Sequence, residues 1–333
     1  MNVSDIRKSL LNSEIALFEV NKNKLIKWKN NSFKDLFNFL ESVNSNKILN
    51  FKKSSKGSFL SLSLNRRKIF YKTELLIKIG NHSLYKINDY QVKKIKVLKD
   101  GMNCIKSGKI KFAMQKQYKL EKLTVSGYEF LARMYLKNES LVSNENFMPL
   151  IDSNYQLKIL LPKVLSQIAF IKNKIGKKIS WINVSAELLE TKSFYKDFTK
   201  IVNNFGLEKK LIGIEITESH KIISNNKIIN SLVKLKSDKF SIAMDDFGSG
   251  YANIRRLSIL PVDIVKLDKS FVFDINNKNT KSLIKGIVNI GNTIGFSVLA
   301  EGIETKKDLL SVRNLGVKYG QGWYIGRPEI LSN

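Results

Sequence analysis

From about residue 101 to residue 333, short apolar runs alternate with longer amphipathic ones. This rhythm constrains the fold more than any other feature, because alternating strands and helices build a parallel sheet. The spacing predicts helices over Leu160 to Lys174, Ser193 to Phe205, Ile223 to Leu235 and Lys281 to Ile294. About 230 residues of such units suit a closed, TIM-like (β/α) barrel in the α/β class.

What terminates each predicted strand carries the chemistry. Leu123 to Tyr128 ends in Glu129, Ile179 to Ile182 in Asn183, and Leu211 to Ile214 in Glu215, with Glu218 just after. Phe240 to Met244 ends in Asp245 and Asp246, before Phe247-Gly248-Ser249-Gly250-Tyr251 and an expected helix start at Ile254 to Leu257. Val262 to Val265 ends in Lys266 and Asp268, Phe296 to Ala300 in Glu301 with Glu304 close by, and Val317 to Gly320 in Gln321. A lone Asp-Asp pair could be a solvated turn capping the next helix. In a barrel, however, strand C-termini open on one face, so these groups would converge. Converging carboxylates repel unless cations lie between them. Two metals about 3.5–4 Å apart sharing one carboxylate are a recurring arrangement for phosphodiester chemistry.

Composition narrows the metal. The chain has one cysteine, Cys104, and two histidines, His82 and His220. A disulfide framework and a thiolate zinc site are excluded, and oxygen ligands point to magnesium, manganese or calcium. Residues 1 to 20 lack a signal-peptide pattern, and no run of about 18 apolar residues would span a membrane, so a cytoplasmic location is expected. The net charge of +28 favours anionic partners. The lysines are dispersed and no nucleic-acid motif accompanies them, so the charge reads as composition rather than a specific nucleic-acid surface.

Residues 1–100 read as a separate unit. Ile15 to Val20 and Leu25 to Trp28 form an expected hairpin, Phe33 to Leu40 a helix, and Gly57 to Leu64, Lys68 to Ile79 and Ser83 to Lys96 a three-stranded meander. This small α+β pattern resembles a PAS-type sensor domain. Gly101 to Cys104 is similar to the flavin-attaching segment of light-sensing PAS domains, but Cys104 follows every strand that can be placed. It is read as opening a helix that joins the two domains. His82, a lone loop histidine in this reading, is not taken as a haem ligand.

Residues 101–333 resemble the EAL-domain phosphodiesterases, which hydrolyse cyclic di-GMP to linear pGpG. The resemblance rests on Glu129-Phe130-Leu131, Asn183-Val184-Ser185, Glu215-Ile216-Thr217-Glu218, Asp245 to Tyr251, Lys266-Leu267-Asp268, Ala300 to Thr305 and Gln321-Gly322, in order and at matching spacing. It implies two divalent cations, Mg²⁺ or Mn²⁺. Glu129, Asn183, Glu215 and Asp245 would hold one; Asp245, Asp246 and Glu301 would hold the other. Lys266 would orient the attacking water. Glu304 and Gln321 would support the metal and water shell, and Glu218 would hold the Asp245 to Tyr251 loop. Gln115, Arg133 and Asp268 take the places of substrate contacts. The family also implies a homodimer formed through the barrel.

Two positions depart from the pattern: Phe130 replaces an alanine and Lys116 a proline. Neither removes a ligand. The alternative is an EAL-type receptor that binds cyclic di-GMP without cutting it and signals through a partner.

Overall fold

The computed structural model describes residues 17–21, 26–29, 31, 49–54, 57–64, 67–79, 82–87, 110–135, 141–142, 151, 153–217, 225–248 and 257–331. The expected helix at Phe33 to Leu40, Cys104, Glu218, Ser249 to Tyr251 and Ile254 to Arg256 lie outside them. Two compact units are present, residues 1–110 with 133–152 and residues 111–132 with 153–333.

Among the described residues the first unit shows antiparallel strands β1 (Leu17–Asn21), β2 (Ile26–Lys29), β3 (Leu49–Ser54), β4 (Gly57–Leu64), β5 (Arg67–Ile79) and β6 (His82–Ile87). Their order is β2-β1-β6-β5-β4-β3. The hairpin and the first two strands of the meander match the expectation; the third is described only to Ile87, and its expected continuation to Lys96 lies outside the described residues. β3 is an additional edge strand; its sequence, LNFKKS, carries too many polar residues to stand out. Phe18 and Tyr85 face each other in the β1–β6 register, and their rings stack at 5.7 Å. His82 opens β6 opposite Asn21 rather than standing in a loop.

The second unit is an eight-stranded closed barrel. Its strands are β7 (Ile110–Lys119), β8 (Thr124–Tyr135), β10 (Ile179–Asn183), β11 (Ile212–Thr217), β12 (Ser241–Phe247), β13 (Ile264–Leu267), β14 (Ser297–Ala300) and β15 (Tyr319–Gly320). β7–β8 pairing closes the ring. β16 (Glu329–Ile330) extends it on β7, and the last residues of β8, which belong to the first unit, pair with β9 (Leu141–Val142). β8 and β10 to β15 are parallel, but β7 runs antiparallel to β15. Not every barrel strand therefore follows a βα unit. The turn at Leu120 to Leu123, with Leu123 at φ 48°, is too short for a parallel crossover.

Among the described residues the helices that follow the strands include α1 (Leu161–Ile175), α2 (Ala186–Leu189), α3 (Phe194–Asn204), α4 (Asn226–Ser237), α5 (Lys269–Phe273), α6 (Lys278–Ile294) and α7 (Lys306–Asn314). α3 buries Phe194, Phe198 and Val202, and α4 buries Ile228, Leu232 and Leu235. These are the i, i+4, i+8 and i, i+4, i+7 stripes of helices packed on a sheet. Each such side chain contributes roughly 1.5–3 kcal/mol. Leu257 lies in a turn.

The barrel interior is layered. Trp181, Ala243, Ile264 and Leu299 form one buried cluster, with Ile179 and Tyr319 packed against it. Trp181 takes the space that a side chain at Gly213 would need: a Cβ there would lie 2.2 Å from the indole. This apolar layer is the floor of the site.

Candidate active site

Successive side chains of a strand alternate faces, so a residue two positions beyond a floor residue points into the same interior. Two residues beyond Trp181, Gly213, Ala243, Ile264, Leu299 and Tyr319 stand Asn183, Glu215, Asp245, Lys266, Glu301 and Gln321. Glu129 stands two beyond Gly127, whose missing side chain leaves room for Ile179 and Trp181. A polar layer therefore lies directly above an apolar one.

Glu129 corrects the expectation that each site residue ends its strand. It lies mid-strand, because β8 continues past its parallel partner β10, last paired at Phe130, and finds an antiparallel partner in β9 at Met134 and Tyr135. Phe130 is buried on the face opposite Glu129, so its ring displaces no acidic group.

Asp245 and Asp246 are neighbours, yet both reach the same acidic cluster. A bulge allows this. Met244 pairs with Val265 and Phe247 with Leu267, so β12 carries one more residue than β13 across that interval. Asp246 absorbs the irregularity with φ 53°, in the left-handed region that Asp tolerates better than most residues.

Lys266, 1% exposed, is the hub. Its ammonium lies 2.9 Å from Asp245 Oδ1, 2.9 Å from Glu301 Oε1, 3.0 Å from Glu215 Oε2 and 3.5 Å from Glu129 Oε2. Amides complete the shell. Gln321 Nε2 donates to Glu129 Oε2 at 2.6 Å and to Gln115 Oε1 at 2.9 Å, and Asn183 Nδ2 donates to Glu129 Oε1 at 3.4 Å. Gln115 Nε2 donates to the Gly326 carbonyl at 3.0 Å.

Burial opposes the charge on Lys266, but Asp245, Glu129, Glu215 and Glu301 outweigh it and hold the ammonium well above its ordinary value. Glu129 is also opposed by burial, yet Lys266, Gln321, Glu215 and Asn183 bring it below the usual carboxylate range. Burial and the charge of Glu129 push Glu215 well up. Burial, with Asp245 and Glu129 adding to it against Lys266, raises Glu301 to about 8. Burial and Asp245 raise Asp246 to about 6. One ammonium thus leaves the carboxyl cluster short of positive charge.

The cluster fits divalent cations. One carboxylate oxygen each from Glu129, Glu215 and Asp245 lie within 4.8 Å of one another, and so do those of Asp245, Asp246 and Glu301. Asp245 is common to both groups. Its Oδ1 is buried and accepts no hydrogen bond, although Lys266 is close. An all-oxygen carboxylate set suits a hard cation.

The other expected residues have partners of their own. Asp268 caps α5 by accepting the Ser270 N–H at 2.9 Å. Glu304 is exposed, and its N–H donates to Asp308. Arg133 lies on β8 in the first compact unit. Two buried residues were not singled out from the sequence. Gln117 donates to Glu215 Oε1 at 3.4 Å, and Gln156 reaches the Asn183 backbone. Gln117 was legible as the residue two beyond Gln115 on one strand face. Gln156 had no comparable signal.

Relatives share this architecture. Cyclic di-GMP phosphodiesterase PdeL of Escherichia coli K12 is 28% identical over 275 residues, which cover 80% of this chain and 76% of that protein. Cyclic di-GMP phosphodiesterase PA2567 of Pseudomonas aeruginosa is 29% identical over 211 residues, 62% of this chain but 36% of its own length. Among solved structures, the cAMP- and cyclic-di-GMP-bound form of the EAL enzyme Bd1971 aligns with a TM-score of 0.66 at 24% identity, over 73% of this chain and 68% of that one. The calcium and cyclic di-GMP complex of Klebsiella pneumoniae BlrP1 aligns with a TM-score of 0.60 at 23% identity, over 67% and 56%. These likenesses establish the fold. A family model described as EAL domain matches residues 98–328, more than half of the sequence, and the chain belongs to the EAL domain family.

Proposed function

We propose that this chain is a metal-dependent cyclic di-GMP phosphodiesterase that opens one phosphodiester bond to give linear 5'-pGpG. The observation that carries this reading is the pair of carboxylate groups sharing Asp245 around Lys266. The naming of PdeL and PA2567 as cyclic di-GMP phosphodiesterases supports the substrate. BlrP1 complexes with calcium or manganese and cyclic di-GMP support the cofactor class.

Two Mg²⁺ or Mn²⁺ ions bound here would polarise the phosphodiester and acidify a water. Glu129, Asn183, Glu215 and Asp245 hold the first; Asp245, Asp246 and Glu301 hold the second. Lys266 keeps its proton, so it orients the attacking water as a donor and does not act as a base. Gln321, fixed by Glu129 and Gln115, keeps the Glu129 carboxylate facing its ion. Gln115, Arg133 and Asp268 contact substrate in this reading, Glu218 holds the loop after Asp246, and Glu304 supports the outer shell. The barrel forms a homodimer, and the protein works in the cytoplasm; among the described residues no helix is long and apolar enough to cross a membrane. The N-terminal sheet acts as a PAS-like sensor; the hairpin strand β1 lying beside the last strand β6 supports this.

The test is incubation of the purified protein with cyclic di-GMP and Mg²⁺ or Mn²⁺, followed by chromatography. The expected product is pGpG. Binding without turnover in metal-loaded protein overturns the enzyme reading and favours a cyclic di-GMP receptor.

A further inference from the structure

Asn183 is held from an unexpected direction. Gln156, 2% exposed, lies just ahead of α1 and spans the segment that follows β10. Its Nε2 donates to the Asn183 carbonyl at 3.2 Å. Its Oε1 accepts from the Ser185 N–H at 3.3 Å and from Ser185 Oγ at 2.7 Å. Ser185 Oγ in turn accepts the Leu188 N–H at 3.2 Å and caps α2. On the other side, the Val184 N–H donates to the Glu215 carbonyl at 2.9 Å. The Asn183-Val184-Ser185 segment is thus clamped between β11 and a single buried amide.

The helix distorts where that amide enters. Gln156–Leu160 forms a π-turn between the short helical turn Ser153–Tyr155 and α1. A π-turn admits one extra residue and rotates the preceding helical face by about 100°. Such turns concentrate at functional sites because they re-aim a side chain at the expense of regular hydrogen bonding. Here the re-aimed side chain is a buried glutamine whose amide meets three polar groups.

We propose that Gln156 is a positioning residue for the first cation site, acting through the backbone of Asn183. The inference rests on the metal-dependent reading above, in which Asn183 is a ligand. The Asn183 side chain lies 3.4 Å from Glu129 and must keep that aim for its amide oxygen to face the same ion as Glu129, Glu215 and Asp245. Fixing its carbonyl fixes the Cα–Cβ direction from which the side chain starts. Outer-shell partners of this kind change metal affinity by about 10–100-fold when removed.

The test is Mn²⁺ binding to the full chain without nucleotide, followed by calorimetry or by the electron paramagnetic resonance signal of free Mn²⁺. Gln156→Met keeps the volume and removes the amide; it is expected to weaken Mn²⁺ binding on the order of tenfold. Ser185→Ala keeps the Gln156–Asn183 bond, so it is expected to lower Tm but leave Mn²⁺ affinity within about twofold, well under that outer-shell effect. Asn183→Ala and the double variant complete the cycle. If Gln156 acts through Asn183, adding Gln156→Met to Asn183→Ala weakens binding no further. If Gln156→Met does not fold, Gln156→Asn, which keeps the amide but shortens its reach, carries the same comparison. Unchanged affinity in the Gln156 variant, or additive losses in the double variant, overturns the proposal and leaves the phosphodiesterase reading standing. Wild-type protein that binds no Mn²⁺ overturns both.

Discussion

Removing the Lys266 ammonium would leave Glu129, Glu215, Asp245 and Glu301 facing one another in the barrel without the cation that now pairs with all four. Breaking a buried ion pair from one side destabilises by about 3–5 kcal/mol. Lys266→Met is therefore expected to lower the unfolding free energy of metal-free protein by about that amount. Urea denaturation checks it, and a loss below about 1 kcal/mol would mean that the carboxyls are already neutral or solvated. Added Mn²⁺ is expected to restore part of the loss, because cations take over the neutralising role. At this scale the site was largely legible. Polar residues after apolar runs marked Asn183, Glu215, Asp245, Lys266, Glu301 and Gln321, because period-two alternation places them over the floor residues. Gln156 was hidden because its role depends on a π-turn, and no residue type announces one.

Elements place those residues, and two irregularities mattered more than the regular strands. The bulge at Asp245–Asp246 turns neighbouring carboxylates toward one cluster, whereas alternation alone would have separated them. The antiparallel β7 brings Gln115 and Gln117 to the site from a strand outside the βα rhythm, so rhythm alone missed it. Helix ends contribute stability apart from chemistry. Thr305 and Asp308 form a reciprocal capping box at the start of α7, four residues after Glu301. Thr305→Ala is expected to destabilise by about 1 kcal/mol, read as a drop in Tm, with metal affinity and turnover unchanged. A selective loss of turnover at unchanged Tm would show instead that the cap sets the position of Glu301. β3 and the extension of β8 beyond Phe130 were illegible for a related reason. Both are set by pairing with the next strand in the chain, β4 for β3 and β9 for the end of β8, rather than announced by an apolar pattern of their own.

Across the whole molecule, the acidic layer links cation binding, protonation and stability. In metal-free protein Glu301 titrates near 8 and Asp246 near 6, above their ordinary 4.5 and 3.8. Between those limits the folded protein holds protons that the unfolded chain has released. These two groups therefore remove stability as pH rises through that window. Bound cations require ionised carboxylates and expel the protons. The gain in Tm on adding Mn²⁺ is accordingly expected to grow from about pH 5 to about pH 8, measured by thermal melts in matched buffers. A gain independent of pH would contradict the coupling. The barrel itself was legible from the βα alternation, and its closure through a hairpin strand was not, since pairing of β7 with both β8 and β15 is a property of the assembled ring. The central claim is that two carboxylate groups share Asp245, and counting bound Mn²⁺ per chain tests it most directly. Wild-type protein is expected to bind two ions at saturation, Asp246→Ala one, and Asp245→Ala neither with comparable affinity. Two tightly bound ions in Asp245→Ala would contradict it.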